Sequence, residues 1–388
     1  YLSNIALQGS FLGQQLRNTL SVTNELVQLK SDLRFDFSNP LPQYTLAANI
    51  SKWDINRLGV KLGSGKREFK GVILGGFRGK NLDDLQGEFK ISGAQITNEN
   101  RVVNLNPITI SQKFSEDITQ LTIINTDCIS GAVEGKFKTS QLSQLFQQTL
   151  HQAYPFLPQK NPQKGQELRF NLKIYKKLLD ALYPEFSISE NISLKGKIAS
   201  DLKSSNVTLD APLLRWNSLQ LEQLHFQIDT KNPIYNTFLS VERITQDYLK
   251  GRSFNMISTK LKDTLFFRSE FTNELKEQTP FEVNFYHTMA EDGTSFFGFK
   301  KSKFPLGKDT WTLNPEDSPN QKISYNAKTK QTTLTELLAV TDNQLIELSG
   351  AFLNKDKFRV DLEIENVLLE NLLPDSPVFR QSGSANLK

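Results

Sequence analysis

The sequence is poor in the residues from which most enzymes build their active sites. Its 388 residues include one cysteine, Cys128, and three histidines, which lie far apart at His151, His225 and His287. A single cysteine excludes an intrachain disulfide, and one cysteine with scattered histidines excludes a thiolate metal site. We interpret Cys128 as a small half-buried side chain and the histidines as solvated. The sequence therefore predicts no metal site, no cofactor and no catalytic residue.

Motifs for nucleophilic, metal or phosphate chemistry are also missing. The chain contains no GxSxG, HExxH or Walker loop. The glycines of GVILGGFRG at 71–79 do not have the spacing of a phosphate loop, so they indicate a bend or a close strand crossing. Acidic pairs such as Asp83-Asp84 lie beside turns and do not form the carboxylate pair that a polysaccharide hydrolase needs. We therefore expect no enzymatic activity.

Neither a long apolar run nor a strong net charge is present. No stretch approaches the roughly 18–20 apolar residues of a membrane helix, and no signal peptide is visible. The 46 Lys and Arg against 42 Asp and Glu leave a net charge of +4, which does not indicate a nucleic-acid-binding protein. Short basic clusters such as Lys300, Lys301 and Lys303 fit solvated faces, with contact to anionic lipid headgroups as the alternative.

Alternation of apolar and polar residues dominates the chain. Runs such as DLRFDF at 32–37 and ELRFNLKIY at 167–175 place apolar side chains on one side of a strand and charged ones on the other. Strands buried on both faces would be continuously apolar. The pattern therefore predicts an all-β fold, with a mainly antiparallel sheet that has one apolar and one polar face.

Helical periodicity is confined to short amphipathic segments. We expect helices near 140–154, 176–183 and 367–373, and a single turn at 52–59. The polar stretch QKNPQKGQ at 159–166 is the best linker candidate. We expect one β segment over 1–158, closed by the helix near 140–154. A second β segment should follow over 167–388.

An internal repeat relates distant parts of the sequence. SNIALQGSF at 3–11 resembles ENISLKGKI at 190–198, and NLKIYKKLLDALYPE at 171–185 resembles DLEIENVLLENLLPD at 361–375. A long-period β repeat indicates a sheet that extends in one direction. The closing SGSANLK matches the start of a further repeat. Both ends therefore suggest a segment of a longer protein, with any membrane anchor outside it.

The apolar face needs a partner or a ligand. The 27 phenylalanines form a large apolar surface, which an ordinary β-sandwich would bury between two sheets. An extended single sheet would instead curve around its own apolar groove. Residues of matching strand parity are the predicted groove lining, namely Phe35, Phe37, Leu46, Ile50, Phe170, Leu172, Phe226, Ile228, Val283, Phe285, Val360 and Leu362.

The alternating strands, the Leu-x-Gly-x-Phe elements and strand–helix units such as QYTLAANISKWDINRLG resemble the TamB branch of the AsmA-like proteins. The stretch from Phe281 through TSFFGFKKSKFPLGKDTWTLNPEDSPNQKISY to QLIELSGAF is similar to TamB chains of Bacteroidetes. The resemblance implies an elongated, curved β-taco with an apolar groove. It also implies a periplasmic location, an inner-membrane anchor outside this segment, and an outer-membrane barrel partner of the TamA/BamA type.

These observations favour a non-enzymatic function in which the groove carries phospholipid acyl chains between inner and outer membrane. The alternative is a scaffold or chaperone that receives unfolded outer-membrane proteins by strand addition, together with the barrel. An outer-membrane barrel is a third possibility, although the many Lys and Glu residues fit poorly with a lipid-facing wall.

Overall fold

A computed structural model describes residues 4–57, 66–98, 101–201, 205–247, 249–273, 276–306, 309–354, 357–368 and 383–387. Strands make up most of the described chain, and the described strand pairs are antiparallel. The predicted all-β, mainly antiparallel fold with short helices is therefore confirmed.

The chain divides into two compact units, which we describe separately. Unit 1 comprises Tyr1–Gln152 and Gln159–Leu224, and unit 2 comprises Ala153–Pro158 and His225–Lys388. The predicted linker at 159–166 lies in unit 1. There the buried Gln166 donates its backbone N–H to Ser200 Oγ at 3.0 Å. The domain boundaries drawn from the sequence stay a prediction.

Unit 1 is a succession of hairpins. Its strands are β1 (Ile5–Leu12), β2 (Gln15–Thr23), β3 (Val27–Asp36), β4 (Gln43–Asp54), β5 (Arg67–Arg78), β6 (Gln86–Asn98), β7 (Arg101–Asn104), β8 (Ile108–Ser115), β9 (Ile118–Ile124), β10 (Ile129–Lys136), β11 (Glu167–Tyr175), β12 (Phe186–Ile188), β13 (Asn191–Ala199) and β14 (Asn206–Trp216). Each strand from β1 to β6 pairs with the next. The order then continues through β8, β9, β10, β11, β13 and β14. The short strands β7 and β12 pair with the ends of β6 and β14.

Two of the predicted helices are confirmed. A 3₁₀ turn (Thr139–Gln141) leads into α1 (Leu142–Ala153), and α2 (Lys176–Leu182) follows β11. At 52–59, β4 ends at Asp54 and a turn follows over 55–57, while residues 58 and 59 lie outside the described residues.

The division between the units falls within β15 (Leu219–Asp229). Unit 2 continues with β16 (Thr237–Gln246), β17 (Leu249–Leu261), β18 (Thr264–Asn273), β19 (Lys276–Met289), β20 (Thr294–Phe299), β21 (Ser302–Leu306), β22 (Asp309–Leu313), β23 (Lys322–Asn326), β24 (Gln331–Thr341), β25 (Gln344–Asn354), β26 (Lys357–Leu368) and β27 (Ser384–Leu387). Residues 367 and 368 of the third predicted helix belong to β26, whereas 369–373 lie outside the described residues.

Candidate functional site: two apolar sheet faces

Cross-strand register places the apolar side chains of unit 1 on one face of the sheet. Directly paired residues in an antiparallel sheet point to the same face. One row of such partners crosses twelve strands and runs through Gly9, Asn18, Leu33, Leu46, Gly75, Phe89, Ile110, Ile123, Gly131, Leu172, Leu194 and Leu209. We call the face that carries this row apolar face 1.

A second row on apolar face 1 lies two residues further along the strands. It runs through Phe11, Leu16, Phe35, Tyr44, Phe77, Gly87, Gln112, Leu121, Val133, Phe170, Gly196 and Val207. Gln112 is the most polar member. Its side-chain amide donates to the Leu82 carbonyl at 3.0 Å, and its Oε1 accepts from the Thr139 hydroxyl at 3.2 Å. The polar interruption is therefore hydrogen-bonded rather than open to the face.

The opposite face of unit 1 is polar along the same strands. Its corresponding row runs through Arg17, Arg34, Thr45, Gly76, Glu88, Ser111, Thr122, Ala132, Asn171, Lys195 and Thr208. Such a sheet has one wettable face and one face that gains free energy when apolar matter covers it.

Helix α2 seals one end of apolar face 1. Its fully buried Ala181 packs in a cluster with Ala94, Ile96 and Cys128, and Leu178 and Leu182 lie against that cluster. Burial, followed by the charge of the adjacent Asp127, raises the pKa of the Cys128 thiol to about 11. Cys128 is thus more deeply buried than the half-buried position expected from the sequence, because α2 packs over its cluster.

Helix α1 covers a second part of apolar face 1. Leu145 of α1 and Leu168 of β11 are fully buried, and the rings of Phe146 and Phe170 lie 5.1 Å apart between centroids. Before α1, Asp83 accepts hydrogen bonds from the backbone N–H and the hydroxyl of Ser140, at 2.9 and 3.1 Å. Phe170, which the sequence alone placed in an open groove, therefore lies under a helix.

On β4, β5 and the first half of β6, the lining is less enclosed. Leu46, Phe77 and Phe89 are only partly buried, and Phe37 beyond the end of β3 is 43% exposed. The rings of Phe77 and Phe89 lie near Gly75, where an added Cβ would be 2.8 Å from Phe77 Cε2. The aromatic rings thus occupy the space that the glycine leaves.

Unit 2 has an apolar face of its own, which we call apolar face 2. A row of direct partners runs through Leu265, His287, Phe297, Ile323, Leu334, Gly350 and Val360. Beside it, the rings of Phe267 and Phe285 stack at 4.7 Å between centroids. Aromatic pairing of this kind stabilises adjacent strands beyond simple area burial.

His287 corrects the expectation that the histidines are solvated, because its side chain lies buried in an aromatic box. Its ring stacks on Phe297 at 4.2 Å and lies 4.3 Å from Phe156, and its Nδ1 is 2.9 Å from the Tyr154 hydroxyl oxygen. The buried Nε2 makes no hydrogen bond with any residue that the structure describes. Burial therefore lowers the pKa of His287.

A packed cluster closes part of apolar face 2. Trp311 is fully buried and lies with Leu313, Ala339 and Val367. Val367 lies on strand β26 rather than in a helix, and burial of its side chain in this cluster stabilises that position. Val360, on the same strand, remains 46% exposed.

The predicted lining residues fall on these faces as follows. Phe35, Leu46, Ile50, Phe170 and Leu172 lie on apolar face 1. Phe37 stacks on Phe35, at 6.3 Å between ring centroids. Val283, Phe285, Val360 and Leu362 lie on apolar face 2. Phe226 and Ile228 alternate with His225 on β15, and Ile228 is buried. That all twelve line one shared groove stays a prediction.

The residues that cover the two faces were missed by sequence reasoning. Phe146 was within a predicted amphipathic helix, but nothing local indicated that it would pack on Phe170. Tyr154 and Phe156 come just after that helix, in AYPF. Their partner His287 lies 133 residues after Tyr154 in the sequence. Contacts between residues so far apart in sequence leave no periodic pattern from which they could be predicted.

The described part of the chain offers no metal or membrane-helix signal. Within it, no group of three or more His, Cys, Asp or Glu side chains is arranged to hold a metal ion. Neither α1 nor α2 is long and apolar enough to cross a membrane. Comparison with known proteins found that no family model, no curated protein and no solved structure matches the chain.

Proposed function

We propose that this chain is a non-enzymatic lipid carrier whose apolar faces hold phospholipid acyl chains while the headgroups stay in water. The observation that carries the proposal is the unbroken cross-strand row on apolar face 1. Twelve strands at a spacing of about 4.8 Å give a path of about 50 Å along the sheet. Helix α1 covers this row near Phe170, so the part that acyl chains reach is the less enclosed one, at Leu46, Phe77 and Phe89.

The energetics of the lining fit this function. Each acyl CH₂ removed from water contributes about 0.8 kcal/mol, so a continuous apolar face lowers the barrier to crossing an aqueous gap. Partly buried Leu46, Phe77 and Phe89 alternate in the rows with glycines rather than with charges. Similar contacts at successive strands favour movement along the face over tight binding at one point.

The resemblance to the TamB branch extends the proposal to the cell. On that basis the carrier works in the periplasm, between the inner and outer membranes, in support of outer-membrane biogenesis. Its partners are phospholipid and an outer-membrane barrel of the TamA/BamA type, with an inner-membrane anchor outside this segment.

The experiment is mass spectrometry of the material that co-purifies with the chain after gentle extraction. Phospholipid in at least stoichiometric amount supports the carrier. Stoichiometric polypeptide without lipid would instead support the alternative, a scaffold for outer-membrane protein assembly. Recovery of neither would overturn both functions.

A further inference from the structure

The outer face of unit 2 differs from the polar face of unit 1. It is the face opposite apolar face 2, and on β17, β18 and β19 it carries two rows of direct partners. One row is Thr259, Phe266 and Tyr286, and the other is Ile257, Arg268 and Asn284. Aromatic and aliphatic side chains on this outer face are not required by the fold, since apolar face 2 already supplies the buried side.

Two loops border these rows and turn them into a cleft. On one side, the connection before β16 brings Ile234, which is 68% exposed. On the other side lie Lys300 and Lys301, between β20 and β21, with Asp317. The cleft has a volume of about 610 Å³, within the usual range of small-molecule sites. We call it the outer cleft.

The polar lining of the outer cleft is held in place from within the protein. Asn284 donates its side-chain amide to the Lys301 carbonyl at 2.9 Å, and Lys300 donates its backbone N–H to the Asn284 carbonyl at 2.9 Å. Asp317 accepts from Lys300 Nζ at 2.9 Å and from the Lys301 backbone N–H at 3.1 Å. The hydrogen bond from Lys300 is the main reason that the pKa of Asp317 lies below its ordinary value.

Charge in the outer cleft is not balanced by these contacts. Asp317 compensates Lys300, whereas Arg268 and Lys301 make no ion pair with any residue in the described ranges. An unpaired guanidinium is a planar fork that matches a carboxylate or a phosphate. Ile257 and Phe266 lie next to these cations and offer an apolar surface at the same point.

We propose that the outer cleft binds an anionic amphiphile: one phosphate or carboxylate group near Arg268 and Lys301, with its apolar chain over Ile257 and Phe266. Glu270 and its direct cross-strand partner Glu282 lie one position further along the same face. Their charges would repel an extended polyanion, so the outer cleft selects a single anionic group. Phe267 and Phe285 of apolar face 2 also border the outer cleft. All of its lining residues belong to unit 2, so the site is separate from the proposed carrier path on apolar face 1 of unit 1.

The test uses the full chain and three probes: lysophosphatidylglycerol, lysophosphatidylcholine with the same acyl chain, and inorganic phosphate. Lysophospholipid concentrations are kept below micelle formation, and binding is followed by titration calorimetry. The anionic lysophospholipid should bind at least tenfold more tightly than the zwitterionic one. Inorganic phosphate should bind at least a hundredfold more weakly, because it lacks the chain.

Charge reversal identifies the residues. Arg268→Glu with Lys301→Glu should remove the tenfold preference, with a lower thermal midpoint because the new carboxylates lie near Glu270, Glu282 and Asp317. The matched control, Lys328→Glu with Lys330→Glu, makes the same charge change in the turn after β23 and should keep the preference. Should the double reversal unfold the chain, Arg268→Gln with Lys301→Gln replaces it, with the same loss expected.

Three results would overturn the proposal: equal affinity for the two lysophospholipids, phosphate binding as tight as the anionic lysophospholipid, or an unchanged preference after charge reversal. Leu46→Asp on apolar face 1 separates this site from the proposed function. If only the carrier function is blocked, as by Leu46→Asp, lysophospholipid should still bind in the outer cleft. If only the outer cleft is disabled by the Arg268 and Lys301 substitutions, phospholipid should still co-purify on apolar face 1.

Discussion

A carboxylate on the open part of apolar face 1 should block lipid without unfolding the protein. Leu46 pairs with Leu33 on one side and Gly75 on the other, and its side chain is only partly buried. Full burial of a leucine stabilises a protein by about 1.5–3 kcal/mol, so Leu46→Asp should cost about 2 kcal/mol. A carboxylate in a water- or lipid-filled groove remains solvated and adds little to that cost.

Phe170 gives the contrasting result. It is 5% exposed and lies against Phe146 of α1, so truncation alone costs about 3–5 kcal/mol. Phe170→Asp would also bury a carboxylate without a partner, at a further cost of several kcal/mol. The sum approaches the whole stability of a typical domain, about 5–15 kcal/mol, and unit 1 should unfold. Phe170 therefore reports packing under α1, whereas Leu46 reports the groove.

The assay combines thermal unfolding by circular dichroism with mass spectrometry of bound phospholipid. For a unit of this size, Leu46→Asp should lower the midpoint by about 4–8 °C and remove most of the lipid. The matched control is Thr45→Asp, which places the same charge on the exposed opposite face of the same strand, directly across from Arg34. It should keep both lipid and stability. If Leu46→Asp unfolds the chain, the face is a closed core. If the folded variant keeps its lipid, apolar face 1 does not carry it.

Three further predictions concern pH, thiol reactivity and backbone geometry. Because burial lowers the pKa of His287, the unfolded chain takes up the proton first, and stability should fall as the pH drops below about 6.5. His287→Phe should reduce that loss in thermal unfolding between about pH 7.5 and 5, and an unchanged slope would contradict it. With a pKa of about 11, Cys128 should react with iodoacetamide far more slowly in the folded chain than in urea; equal rates would show an accessible thiol. Gly131→Ala, at a φ of +135°, should cost about 1–3 kcal/mol in urea unfolding. Gly76→Ala meets no atom within 4 Å and should be nearly neutral, so equal costs would refute the geometry.

The period of the sequence was sufficient to predict which side chains share a face. Leu33 and Leu46 were assigned to matching parity from alternation alone, and they are direct cross-strand partners. Alternation is a local property, and a shift of one residue would move a whole strand to the wrong face, so register follows closely from pattern. Alternation does not predict which other parts of the chain pack over that face. Phe146 covers Phe170 through a helix that joins two strands, which only the folded chain specifies.

Some signals were present in the sequence but were outweighed by the alternation. TLFFRSEF at 264–271 contains three consecutive apolar residues at 265–267, which in a strand must place apolar groups on both faces. Phe266 accordingly lies on the outer face, and Leu265 and Phe267 on apolar face 2. His287 lies two residues after Phe285 and therefore has the parity of the apolar face. Its burial thus follows from its position, although a histidine is usually assigned to solvent.

The recurring Leu-x-Gly-x-Phe element links the sequence pattern to the proposed function. Gly196, in the related Leu-x-Gly-x-Ile sequence of β13, is the direct partner of Phe170, and a Cβ there would lie 3.1 Å from the tip of the Phe170 ring. Gly75 is the direct partner of Phe89 on the open part of the face, and the ring of Phe77, two residues further on the same strand, also lies against it. A phenylalanine beside a glycine can lie flat on the sheet, because no side chain opposes the ring. A lining of flat rings has no deep pocket that would select one ligand and no high side chain that would obstruct a moving chain. With phenylalanine alone, neighbouring side chains would pack against the rings and leave no space for a ligand. With glycine alone, the face would expose backbone and would be only weakly apolar. The combination favours a surface that remains apolar and shallow along many strands, as a carrier of interchangeable acyl chains requires.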